Sequence, residues 1–181
     1  MAKLVAATYG DALFDLAMEQ GRIDEYFEET QAVLDVFRQN TELTDLLNHP
    51  KIVKEDKITL IENIFKGRIS DEMTGFMVTV ITKDRATELN KILEYVIARI
   101  KEYKKIGTAY VTTPLALSDA MKTKIENKLL ATTGYKEFEM KYAVDESLIG
   151  GMVIRIGDRV IDSSIKSRLS NLSRELYALD V

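Results

Sequence analysis

The chain of 181 residues contains no cysteine. Disulfides, thiolate metal sites and cysteine nucleophiles are therefore all excluded. Its one histidine, His49, precludes a multi-histidine metal centre and leaves carboxylates as the remaining metal ligands. No apolar run reaches the roughly 18 residues that mark a bilayer-spanning helix. An excess of positive charge is also missing: the net charge is −4, and no basic stripe offsets it, which argues against a general nucleic-acid binder. Residues 1–17 enter helical periodicity directly, without a signal-peptide core or cleavage site, so a bacterial-type cytoplasm is expected. There are two prolines, Pro50 and Pro114, and each reads as the end of an element. What is abundant is apolar and charged side chains, at 46% and 30%, enough for a buried core under a soluble surface.

Residues 1–105 read as six amphipathic helices. Ala6, Tyr9, Leu13, Leu16 and Ala17 share a face of the first, which stops at Gly21. The second carries Ile23, Tyr26, Phe27, Thr30, Val33, Leu34 and Phe37 at helical spacing. A short helix over 42–47 breaks at His49-Pro50. Ile58, Ile61, Ile64 and Phe65 mark a fourth, ending at Gly67. Ser70 caps a fifth, with Met73, Phe76, Met77, Val80 and Ile81 inside. The last runs from about Arg85 to Lys104, about 30 Å at 1.5 Å per residue, with Leu89, Ile92, Leu93, Val96, Ile97, Ile100 and Tyr103 on one side.

After Gly107 the period changes. Residues 108–113 are β-prone and end at Pro114. Ser118 caps a helix with Met121, Ile125 and Leu129 on one face and Gly134 at its end. Phe138, Met140, Tyr142 and Val144 alternate with Glu137, Glu139, Lys141 and Ala143, the pattern of a one-sided strand. Met152, Ile154 and Ile156 alternate in a third strand, Gly157-Asp158 turns the chain, and 159–161 return. Asp162 stands where a helix cap belongs, ahead of Ile165, Leu169, Leu172 and Leu176. The expectation is a mainly α protein, a six-helix bundle (1–105) followed by a small β-α-β-β-β-α unit (106–181). About 75 residues bury a limited share of their surface, so the second unit is marginal alone.

No constellation calls for catalysis. Gly150-Gly151 precede a strand, whereas a phosphate loop needs glycines leading into a helix N-terminus; they read as a bulge or close approach. Asp145 and Glu146 diverge in extended chain, and Asp158 and Asp162 read as turn and cap. Glu25, Glu28 and Glu29 read as a solvated acidic patch. Ser163-Ser164 sit at a helix start with no histidine base, so their hydroxyls satisfy orphan amides. No cofactor or metal is expected. Two strips stand out. Ala7, Gly10, Phe14 and Met18 form a second apolar strip on the first helix, and Gly75, Thr79 and Thr82 a strip of small side chains on the fifth. Such faces suit a groove that receives another helix; the same pattern arises if both helices are simply central in the bundle.

The segment Asp145 to Ser164 resembles the C-terminal signature of one family, the delta subunits of F-type ATP synthases and their mitochondrial counterpart, the oligomycin-sensitivity-conferring protein. The matching residues are Asp145, Ser147-Leu148-Ile149-Gly150-Gly151, Arg155-Ile156-Gly157-Asp158, Val160-Ile161-Asp162 and Ser164. Glu146 stands where proline is common and Ser163 where glycine is common; neither change removes a binding group. Tyr9 to Ala17 resembles the family's first helix, with Gly10 in place of the commoner alanine, and the resemblance extends over essentially the whole chain.

The resemblance implies a non-catalytic stator subunit without cofactor. Its N-terminal domain would receive the N-terminal helix of an alpha subunit, largely through the first and fifth helices. Its C-terminal domain would meet the b subunits of the peripheral stalk. The place implied is the cytoplasmic face of a bacterial membrane, reached only through the complex. Tryptophan at Gly10 or Gly75 is then expected to block the alpha-subunit helix with the bundle still folded. A stand-alone adaptor for amphipathic helices is the alternative reading.

Overall fold

The computed structural model describes the backbone of residues 2–179 and the side chains of 4–174. The chain divides into two compact units, residues 1–100 and 101–181.

The first unit contains α1 (Ala2–Glu19), α2 (Ile23–Gln39), α3 (Thr41–Asn48), α4 (Lys54–Phe65), α5 (Asp71–Thr82) and most of α6 (Leu89–Lys104). Every helix contributes to one buried cluster: Ala6, Val33, Leu34, Phe37, Leu43, Leu47, Ile61, Phe65, Met77, Val80, Ile81, Leu89, Ile92 and Leu93. A second cluster joins α1, α2, α5 and α6 through Leu13, Phe14, Ala17, Tyr26, Met73, Val96 and Ile100. Helix ends follow local chemistry. Gly21 takes a φ of +65°, which lets the Arg22 amide reach back to the Ala17 carbonyl at 3.0 Å and close α1. Asp84, at φ +58°, closes α5 in the same way, with the Arg85 amide 3.0 Å from the Val80 carbonyl. The chain then makes a 3₁₀ turn over Ala86–Glu88 before α6 begins. The last helix is thus 16 residues, about 24 Å, shorter than the expected 30 Å, because closing α5 and entering α6 consume 84–88. Tyr103 is exposed on it.

In the second unit, β1 (Ile106–Thr113), α7 (Asp119–Thr132), β2 (Glu137–Val144), β3 (Val153–Ile156), β4 (Arg159–Asp162) and α8 (Ile165–Leu179) follow in order. The sheet order is β2-β1-β3-β4, with β1 and β2 parallel and the other two pairings antiparallel. The crossover through α7 is what a parallel neighbour requires. Ala109, Val111, Phe138 and Ile154 meet Ile125 and Leu129 of α7 in its core.

Three local expectations change. Met121 is exposed, since only Ile125 and Leu129 of α7 are buried. Ser118 precedes α7 without a side-chain capping bond. The alternation in β2 gives out after Met140: Tyr142 and Val144 are exposed, because β2 is an edge strand whose far end lies beyond the core. Leu176 lies outside the described side chains.

Candidate partner-binding surfaces

Helix α5 is set by its N-terminus. The Ser70 hydroxyl accepts from the Met73 amide at 3.3 Å, satisfying one of the orphan donors of the first turn. Glu29 of α2 then holds Ser70 with both oxygens, accepting from its amide at 2.7 Å and its hydroxyl at 2.6 Å. Glu29 therefore leaves the acidic patch inferred from sequence and becomes a link between two helices, while Glu25 pairs with Arg22. That pairing holds the Glu25 carboxyl below the usual carboxylate range, chiefly through the Arg22 hydrogen bond. Replacing Glu29 with alanine should cost about 1–2 kcal/mol in a urea melt, the scale of a lost cap and an orphaned amide, and Glu29→Gln roughly half of that.

Beyond the cap, Met73, Met77, Val80 and Ile81 turn inward and are buried. Gly75, Thr79 and Thr82 lie on the outward side and are exposed. Thr79 and Thr82 fold their hydroxyls back onto the carbonyls of Gly75 and Val78, both at 2.8 Å, so the strip presents methyl groups around a bare backbone. A Cβ added at Gly75 meets nothing within 4 Å.

The α1 strip is different. Gly10 and Phe14 are buried, Ala7 is half-buried, and Met18 is exposed. A Cβ at Gly10 would run into the Tyr95 ring of α6. Tyr95 also donates to Asp11 at 2.9 Å, and the Arg99 guanidinium lies 5.3 Å from the centre of the Phe14 ring. Gly10 and Phe14 of the second strip thus face α6, with Gly10 the clearance for Tyr95, while Ala7 stays half-buried and Met18 exposed. Tryptophan at Gly10 is therefore expected to strain the bundle itself, because the Tyr95 ring stands where the new side chain would begin.

In the second unit, the signature residues build a scaffold around the β3–β4 hairpin. Asp145 accepts from the Ser147 amide at 2.9 Å and starts a 3₁₀ turn over Glu146–Leu148. Gly151 has φ +76°, and a Cβ there would strike the Ser163 backbone carbonyl. Gly150 lies beneath the Ile165 side chain. Gly157, at φ +57°, is first in the two-residue turn with Asp158, the glycine-first arrangement of a II′ hairpin. The cap of α8 is shared. Ser164, fully buried, accepts from the Ser167 amide at 3.2 Å. Asp162 accepts from the Ser164 amide at 2.8 Å and the Ser167 hydroxyl at 2.6 Å.

These donors act on ionisation. The Ser167 hydroxyl, then the Ser164 amide, hold the Asp162 carboxyl below its ordinary range. The Ser147 hydroxyl and amide do the same for Asp145. A carboxylate depressed in the fold contributes stability above its unfolded pKa, near 4, and that stability is lost as pH falls through the folded value. Thermal melts between about pH 5 and 2 should show a steeper loss for the wild type than for Asp145→Asn/Asp162→Asn.

Around this scaffold the second unit leaves much apolar surface open: Val160, Ile161, Ile165, Leu169 and Leu172 are all exposed. Sequence reasoning assigned Ile165, Leu169 and Leu172 to a helix face; the described structure leaves that face uncovered. It also missed Ile149, which takes a positive φ that no pattern of residue types announces. Among the described residues, no group of three or more histidines, aspartates or glutamates is placed to hold a metal.

A family profile described as "ATP synthase delta (OSCP) subunit" matches residues 5–176. The chain is 54% identical to "ATP synthase subunit delta" of Lachnoclostridium phytofermentans over 181 residues, all of both chains. It is 34% identical to the protein of that description from Halalkalibacterium halodurans, covering 96% of this chain and 95% of the relative. A chain in the cryo-EM structure of the Toxoplasma gondii mitochondrial ATP synthase hexamer shares the fold, with a TM-score of 0.76 at 15% identity over 95% of this chain and 97% of that one.

Proposed function

The chain belongs to the ATP synthase delta (OSCP) subunit family, and from that premise we propose that its two units grip different partners in one stator joint. It is a peripheral-stalk component of an F-type ATP synthase and not itself an enzyme. Its partners are other subunits of that complex. It is peripheral to a membrane-bound assembly, and no helix among the described residues is long and apolar enough to cross a membrane.

In our reading, residues 1–105 receive the N-terminal helix of an alpha subunit and 106–181 bind the b subunits of the stalk, on the cytoplasmic face of the membrane. The observation that carries the first half is the open strip of Gly75, Thr79 and Thr82 on a helix whose other side is buried. Small side chains let a second helix approach closely, so dispersion contacts are numerous along its length. The uncovered apolar residues of the second unit support the other half. Asp145, Gly150, Gly151, Gly157, Asp158, Asp162 and Ser164 serve as scaffold to that surface rather than as contacts. A joint of this kind performs no bond chemistry. It opposes the torque of the rotor on the catalytic head, so that rotation changes conformations at catalytic sites in other subunits. Interfaces of roughly 800 Å² per partner suffice for stable attachment when well packed.

Titration of the full chain with a synthetic peptide of the host's alpha-subunit N-terminus tests this directly. Saturable one-to-one binding with a gain of helical circular dichroism is expected. A peptide that stays unbound at high micromolar concentration removes the alpha-helix assignment.

A further inference from the structure

Ile149 is the one residue of the signature whose backbone works against its side chain. Its φ of +66° and ψ of −41°, with the Gly150 amide 2.7 Å from the Leu148 carbonyl, form a γ-turn of the positive-φ kind. That turn is rare and strained, and a β-branched residue in it is a marked outlier. Glycine on either side would have been natural, and glycines do follow at 150 and 151. The strain is also not spent on filling the core: Leu148 is buried, while Ile149 is 64% exposed.

The neighbourhood shows what this exposure adjoins. The Ile165 amide donates to the Gly150 carbonyl at 3.0 Å, and the Ile165 side chain covers Gly150. Lys166 reaches Ser147 at 3.0 Å. Ile149 therefore lies beside the start of α8, whose Ile165, Leu169 and Leu172 are 42%, 54% and 56% exposed. At about 100° per residue, these three fall on one stripe, with Lys166 on one flank and Arg168 on the other. From Ile165 to Arg174 there are three cations and no carboxylate, in a chain whose net charge is −4.

We propose that Ile149 is a docking anchor, held outward by a strained turn, for an amphipathic helix that lays an apolar stripe flanked by carboxylates against α8. This rests on the stalk-binding reading of the second unit and specifies it: the occupant is a helix of a stalk subunit, and its flanking acids meet Lys166 and Arg168. Buried apolar anchors at the centre of an interface carry most of its energy, and charged rims set register and association rate. The strain has a function under this assignment: removing it stabilises the free chain and weakens the complex.

The test uses the full chain and the extramembrane part of the host's b subunit, with calorimetric titration and thermal melts. Ile149→Gly should raise the melting temperature by about 2–4 °C and weaken binding by about tenfold or more. Ile149→Leu, apolar but not β-branched, should bind within about threefold of wild type. Arg168→Glu should weaken binding and flatten its salt dependence. Wild-type affinity in the glycine variant, or a melt below wild type, overturns the inference while leaving the stalk-binding reading in place. Absence of binding by the wild-type chain overturns both.

Discussion

Gly151→Ala should unfold the second unit under conditions that leave the helical bundle intact. Two independent costs fall on the added methyl. The φ of +76° places an L-residue in a conformation that costs about 1–2 kcal/mol. The methyl would also strike the Ser163 carbonyl, with the Ser164 backbone close behind at 3.1 Å; these atoms belong to the strand-to-helix junction and cannot rotate away. Together the loss is on the order of 3–5 kcal/mol, comparable with the whole stability of a small domain. The signature's other glycines provide the scale. Gly157→Ala meets only the conformational cost, since nothing lies within 4 Å, so about 1 kcal/mol is expected. Gly150→Ala presses on the tip of the Ile165 side chain, which can change rotamer, and should cost less than about 1 kcal/mol. Urea melts of the three variants, followed by far-ultraviolet circular dichroism, should rank 151 far above 157 and 157 above 150. Equal effects at 151 and 157 would show that the Ser163 approach does not matter.

Tryptophan at Gly75 should abolish capture of the alpha-subunit helix while the chain melts as wild type or slightly higher. The position is open, and a glycine inside a helix costs roughly 0.5–1 kcal/mol relative to alanine, so the replacement does not burden the fold. An indole on the strip keeps an incoming helix several ångströms away, and at least about a hundredfold loss of affinity follows, equivalent to some 2.7 kcal/mol. Tryptophan at Gly10 should do the opposite. The Tyr95 ring already occupies the space where a Cβ would go, so α6 must leave α1, breaking the Tyr95–Asp11 hydrogen bond and losing more than about 3 kcal/mol. The two variants thus separate groove from scaffold: one folds and does not bind, the other barely folds. A Gly75→Trp chain that folds and still binds the peptide tightly would count against the groove on α5.

The helices were legible because apolar side chains recur at 3.6-residue spacing over several turns, and the ends because Gly21, Ser70 and Gly67 have stereochemical reasons to stand where they do. What was not legible depends on pairs far apart in sequence. Gly10 and Tyr95 make sense only together, and the Ser70 cap, legible by itself, gives no sign in the sequence that Glu29 holds it. The far end of β2 carried the right alternation, but alternation reports which residues share a face and not whether anything covers it. Ile149 illustrates a third limit: residue type argues against its backbone conformation, which only the folded chain reveals.

The parallel pairing of β1 with β2 also orders events in time. The bundle can gather helix by helix onto what already exists, and it closes when α6 seats on α1. The sheet cannot grow that way. Tyr110 must wait for Lys141 across the α7 crossover and then for Arg155 on its other side. Until the hairpin of β3 and β4 has been synthesised, β1 exposes a free edge with the valine, tyrosine and threonine character that invites pairing with other chains. Newly made chains are therefore most exposed to misassembly between completion of the bundle and arrival of the hairpin. A nascent-chain chaperone would find its substrate in that interval.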